Sequence, residues 1–299
     1  MHNPTDNPTY VTQLIFARNI AATTSSTISR YKDPANNRSI VLKSANPTYQ
    51  DLLENEIAIL QKLTHPHVIQ YYGHIVANGI PCMLMEYMRY SLAAVLDKNS
   101  LLNDDVEDNT LAREKHLQIA FGLAHGLQYL HQNKIVHCDI KPGNVLVNKD
   151  CSHVKICDFG LSNDLNKDTS NIKWAKGSPA WLAPEIAQLS FKDNEIVKDP
   201  FKIDIWPLGQ ILLQLYINTN GEPYTWVPEG ASLHTLLKEI SSGKHDDIPE
   251  QKPLSKVISW CLKKDPAERL NATQIIEELH KLKPGAITEV TEALSKLRP

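Results

Sequence analysis

His137-Cys138-Asp139-Ile140-Lys141-Pro142-Gly143-Asn144 is the stretch on which the reading of this chain turns. It gathers an aspartate, a lysine and an asparagine within a few residues. Two shorter stretches follow it in order, Cys157-Asp158-Phe159-Gly160 and Ala183-Pro184-Glu185. Each of these taken alone also reads as polar residues satisfied within a loop, so the order of the set carries more weight than any member.

The chain around them changes character. Upstream, Leu111 to His131 is a long periodic segment with Leu117, Ala120, Leu123, Ala124, Leu127 and Leu130 on one face, which predicts a helix. Downstream, Val145 to Val147 and His153 to Cys157 read as short strands. Ile203–Ile217, Ser232–Ile240, Leu254–Leu262 and Ala272–Leu282 read as further helices. The N-terminal third is different. Val11 to Phe16 and Ser39 to Lys43 read as strands, Tyr49 to Leu63 as a helix, and Val68 to Val76 with Pro81 to Glu86 as a hairpin around Asn78-Gly79. The expected fold is α+β and bilobal, a small antiparallel β-sheet lobe with one helix followed by a larger, mainly helical lobe.

With 299 residues, the chain is long enough for two lobes sharing a cleft. Its 31 basic and 34 acidic residues leave a formal net charge of −3, so no global basic field points to nucleic acid. The start is polar and lacks the charged and apolar regions of a secretory signal. No apolar run approaches the length of a membrane span. Cys82, Cys138, Cys151, Cys157 and Cys261 have no metal-ligand spacing, which favours reduced thiols and a cytoplasmic setting.

The three quoted stretches together resemble the eukaryotic-type protein kinase family, from about Ile20 to Leu282. The resemblance implies an N-terminal lobe at about 11–86, a hinge at about 86–90 and a C-terminal lobe at about 91–285. Residues 1–10 are then a flexible start and 286–299 a tail. It implies ATP and Mg²⁺ as cofactors and protein substrates with serine or threonine acceptors; oligomeric state is left open. Asp139 would orient the acceptor hydroxyl and take its proton, and Lys141 would neutralise the γ-phosphate. Asn144 and Asp158 are hard oxygen donors for Mg²⁺. Ile40-Val41-Leu42-Lys43 is similar to the family's lysine strand, so Lys43 would meet the α- and β-phosphates. The helix from Tyr49 offers Glu54 and Glu56, and Glu56 matches the position that pairs with that lysine.

Ile20, Ile28, Val41 and Leu146 are placed by the resemblance around adenine. The Glu86 carbonyl and the Met88 backbone would bond its edge, and Met85 would lie behind it. Leu60, His137 and Phe159 are expected to stack between the lobes, with Tyr72 as a fourth member. Asp204 would brace the catalytic loop, and Arg269 would bridge Glu185. Pro207 is expected in the first helical turn, where its missing N–H costs nothing. Lys141 and Ser178 favour serine/threonine over tyrosine acceptors, and Ala180-Trp181-Leu182-Ala183-Pro184-Glu185 is similar to the tyrosine-kinase-like group.

Three departures qualify the match. The nucleotide loop has no glycine, since the three glycine positions fall on Ala21, Thr23 and Ser26. That raises the alternative of a pseudokinase scaffold with weak or absent catalysis. Cys138 stands where many members carry an arginine, so activation-segment phosphorylation at Thr169 or Ser170 is not expected to be required. The stretch from Glu185 to Asp204 is longer than the family pattern. It reads as a solvated insertion, as does the acidic run Asp104, Asp105, Glu107 and Asp108.

Overall fold

Ser26, Ser29 and Asp33 are the buried positions of one strand in the small lobe, which explains why apolar alternation fails to reveal it. In the computed structural model, which describes residues 13–77, 79–97, 109–167, 177–191, 197–217, 223–228 and 230–282, that strand is β2 (Ser26–Asp33). It pairs with β1 (Ile15–Ala22) and β3 (Arg38–Ala45). With β4 (Tyr71–Ala77) and β5 (Ile80–Glu86) they form a five-stranded antiparallel sheet, ordered β1-β2-β3-β5-β4. The expected strand at Val11–Phe16 is thus displaced towards Ile15–Ala22, and β2 is an addition. Nearly every residue of β1 is exposed, so it carries no burial pattern to read.

Helix α1 (Gln50–Leu60) packs on β3 and β5 and buries Leu53, Glu56, Ile57 and Leu60. A short 3₁₀ turn, Pro47–Tyr49, precedes it, so the helix starts and stops slightly inside the expected 49–63. The strand read at Val68 begins only at Tyr71. The backbone before it instead joins the lobes, as Ile69 N donates to the Ile156 carbonyl and Ile156 N to the His67 carbonyl, both at 2.9 Å.

The hinge leads into β6 (Tyr90–Ser91) and the short α2 (Leu92–Leu96). The large lobe is built on α3 (Asn109–Gln132). Its predicted face is the buried one, with Leu123, Ala124, Leu127 and Leu130 fully enclosed. Each such leucine contributes about 1.5–3 kcal/mol by leaving water. A Cβ at Gly122 would stand 2.5 Å from Val154 Cβ, so glycine is what lets α3 approach the strand that carries Val154.

The remaining elements are β7 (Ile135–Val136), β8 (Val145–Val147), β9 (Val154–Ile156), β10 (Asn163–Asp164), α4 (Pro184–Gln188), α5 (Lys202–Ile217), α6 (Leu233–Ser241), α7 (Ser255–Cys261) and α8 (Ala272–Leu282). Pro207 departs from expectation. It lies inside α5 rather than in its first turn, so it leaves the Ile203 carbonyl without its helical donor. Residues 1–10 and 286–299, Asp104 to Asp108, Thr169, Ser170 and the charged 192–195 run lie outside the described residues. No described helix is long and apolar enough to cross a membrane.

Candidate active site

Strand register sets the roof of the cleft. Ile28 lies opposite Lys43, and Val41 opposite Met85, so these side chains share one face of the sheet. Val41 and Met85 are buried, while Ile28 packs partly buried against the core. Ile20 occupies the bulge in β1 between Asn19 and Ala21 and is 43% exposed. Leu146, in β8, packs half-buried against the core, as does Met88 in the hinge. The Glu86 carboxylate turns to Lys155, at 3.0 Å, and pins the hinge to β9.

Lys43 reaches from β3 to Glu56 Oε2 at 2.7 Å and Asp158 Oδ1 at 2.9 Å. Burial opposes the charge on Lys43, but the two carboxylates outweigh it and hold the ammonium above its ordinary pKa. Burial raises the Glu56 pKa, and Lys43 acts against that rise. Glu56 Oε1 also accepts from Phe159 N at 3.2 Å. For Asp158 burial pushes upward too, but Lys43 overcomes it and keeps the carboxyl below the usual range. The Asp158 side chain is 44% exposed and so is open to a ligand.

The loop from His137 to Asn144 is interlocked around Asp139. Its Oδ2 accepts from Lys141 Nζ at 2.8 Å and from Asn144 Nδ2 at 2.9 Å, while Oδ1 accepts from Ser178 N at 2.8 Å. Lys141 Nζ also donates to Ser178 Oγ at 2.5 Å. Because Asn144 Nδ2 serves the Asp139 carboxylate and carbonyl, Oδ1 is the atom Asn144 can offer a hard cation. Asn144 and Cys157 are joined through the backbone, with Cys157 N donating to the Asn144 carbonyl at 3.0 Å. That backbone bond places Asp158, the residue after Cys157, beside the loop that carries Asp139 and Asn144. One carboxylate and one amide oxygen suit Mg²⁺, which takes few protein ligands and completes its shell with phosphates and water.

Asp204 supports this loop from below. It accepts from His137 N and Cys138 N, each at 2.9 Å, and from His131 Nε2 at 3.0 Å. Cys138 holds a positive φ of 65°, and at Gly177, with φ 114°, a Cβ would stand 2.5 Å from the Cys138 carbonyl oxygen, so glycine permits the close approach. The Cys138 thiol is buried and turned to the Val136 carbonyl, at 3.6 Å.

His137 and Phe159 meet edge to face at 4.9 Å. The fourth stacking position needs correction. Tyr72 lies under the Arg38 guanidinium at 4.1 Å, whereas Tyr71 packs against the core. Arg269 and Glu185 form the expected bidentate bridge, both contacts at 2.7 Å. Two supporting residues escaped the sequence reading. Asn55 Nδ2 donates to the Gly160 and Ser162 carbonyls at 3.0 Å, and His131 joins Asp204.

A family description, protein kinase domain, matches residues 17–280. The chain belongs to the protein kinase family. Among its relatives, this kinase domain is 32% identical to Serine/threonine-protein kinase RUNKEL of Arabidopsis thaliana, over 76% of this chain and 15% of the relative. It is 28% identical to Mitogen-activated protein kinase kinase kinase 5 of Arabidopsis thaliana, over 75% of this chain and 30% of the relative. It is also 28% identical to Serine/threonine-protein kinase STE20 of Candida glabrata, over 89% of this chain and 27% of the relative. The kinase domain thus spans less than a third of the length of each of these relatives.

Proposed function

We propose that this kinase domain transfers the γ-phosphoryl group of ATP to serine and threonine hydroxyls of protein substrates. The observation that carries the reading is the lattice joining Asp139, Lys141, Asn144 and Ser178. It presents a carboxylate oriented on both oxygens, with an ammonium beside it. Asp139 orients the acceptor hydroxyl and receives its proton as the new oxygen–phosphorus bond forms. The bond to the ADP oxygen breaks, and Lys141 and Lys43 offset the charge on the phosphates. Mg²⁺ held by Asn144 and Asp158 would supply further charge neutralisation. Ile20, Ile28, Val41, Leu146 and the backbone at Glu86 and Met88 take the adenine in this reading.

Serine/threonine acceptors are favoured by Lys141 with Ser178 and by the printed names of the relatives. The free cysteines fit a reducing compartment, and we place the protein in the cytoplasm.

The test compares wild type with Asp139→Asn, each given γ-labelled ATP, Mg²⁺ and a generic basic protein. Label transfer by wild type alone supports the kinase. Nucleotide binding by both without transfer by either supports the scaffold alternative that the glycine-free loop raises.

A further inference from the structure

The turn joining β1 to β2 closes on itself through one hydroxyl. Thr23 Oγ1 accepts from Ser26 N at 3.0 Å and from Ser25 N at 3.3 Å. The same oxygen lies 3.1 Å from Ser25 Oγ and 3.3 Å from Ser26 Oγ. Thr23 N donates to the Ser26 carbonyl at 2.9 Å, so the ends of the turn are tied twice. No residue from Ile20 to Ile28 has a positive φ, and the tip keeps its shape without the backbone freedom of glycine.

Asn46, just after β3, fixes the tip in place. Its N–H donates to the Ser25 carbonyl at 2.8 Å, and its Nδ2 donates to the Thr24 carbonyl at 2.6 Å and the Thr23 carbonyl at 3.3 Å. The loop that would cover a triphosphate is thus anchored from behind, and the amides of Thr23, Ser25 and Ser26 are bonded within it.

We propose that Thr23 sets nucleotide affinity, because its hydroxyl engages the Ser25 and Ser26 N–H groups that a phosphate would otherwise bind. The loop then covers the triphosphate without gripping it. This rests on the reading of the cleft as an ATP site. A phosphate oxygen is a stronger acceptor than a hydroxyl, yet here it has to displace Thr23 and reopen a turn that Asn46 holds shut. Grip on the phosphates falls to Lys43, Asp158 and the cation, and the tip of the loop contributes cover alone.

Thr23→Val removes the acceptor at nearly constant shape, Thr23→Ala removes it without the branched side chain, and Thr23→Ser keeps it. Two measurements on the nucleotide-free and nucleotide-titrated protein separate the steps. In hydrogen exchange, the Ser25 and Ser26 amides are protected in wild type and Thr23→Ser, and exchange fast in the other two. In direct titration with Mg·ADP, Thr23→Val and Thr23→Ala bind about tenfold more tightly than wild type, the worth of one or two released donors, and Thr23→Ser restores wild-type affinity. Unchanged or weaker binding by Thr23→Val and Thr23→Ala overturns the proposal, as do wild-type amides that already exchange fast. If wild type binds no Mg·ADP at all, the nucleotide reading itself falls, and with it the role for Thr23. Protected amides would then still show that the turn exists.

Discussion

The catalytic loop of the large lobe and the nucleotide loop of the small lobe are held by opposite means. Asp139 is fixed by Ser178, 39 residues on, and His137 by Asp204, 67 residues on. Lys43 finds Asp158 across 115 residues. The nucleotide loop is closed by contacts two and three residues apart, with Asn46 as its more distant anchor. Long-range bonds make the catalytic geometry a property of the whole fold, so it is present in full or lost together. A local turn can be changed one side chain at a time. In the proposed reading, chemistry is therefore built into the cooperative region, and affinity is left to the adjustable one.

Breaking the catalytic side should give the largest effect. Asp139→Asn removes the proton acceptor while preserving shape, and phosphoryl transfer should fall by about a hundredfold or more, with nucleotide affinity retained. Steady-state rates set beside direct titration check both halves.

The next effect is structural. The Arg269 side chain is fully buried and doubly bonded to Glu185, and it also donates to the carbonyls of Lys263, Lys202 and Lys264. Arg269→Ala should cost about 3–5 kcal/mol, because the partly buried Glu185 carboxylate and three backbone carbonyls lose their partner. Chemical denaturation measures the loss, and the catalytic loop should loosen with it.

A third effect concerns three partly buried histidines, His65, His116 and His125. Burial and the neighbouring His67 push His65 down to about 4, and His125 is pushed there by burial, His67 and His280. Burial and Lys252 do the same to His116. In the unfolded chain these rings take up protons as the pH falls through 6.5, whereas folded they stay neutral to about 4. The unfolded state then binds more protons, so thermal stability should decline as pH drops from about 6.5 to about 4. Melting scans across that window check it, and a flat profile would contradict it.

The smallest effect expected is on the activation segment. Because Cys138 is a buried thiol, this loop position offers no guanidinium to a phosphate. A Thr169→Ala, Ser170→Ala double variant should keep its transfer rate within about twofold, since no phosphate-dependent ordering is lost. A complete loss in the same rate assay would show that these hydroxyls do control the catalytic loop.

Much of this was legible in the sequence, for physical reasons that differ by region. The buried stripe of α3 could be read because helix burial imposes its period on apolar residues. The charged motifs could be read for the family because their order and residue types match the protein kinase domain. β2 was hidden because its buried positions are Ser26, Ser29 and Asp33, and polar burial leaves no apolar signature. The expectation for Tyr72 missed by a single step in strand phase beside a β-bulge, which reverses the face each side chain occupies. Asn55, His131 and Asn46 act through partners that only the folded chain brings near. Nothing adjacent to them in sequence announces those contacts.

The most direct measurement is acid hydrolysis of a basic protein after incubation with wild-type chain, Mg²⁺ and γ-labelled ATP. The label should appear in phosphoserine and phosphothreonine, and vanish when Asp139→Asn replaces wild type. Label confined to phosphotyrosine, or equal label with both proteins, would contradict the assignment of Asp139 and its neighbours as the transfer site.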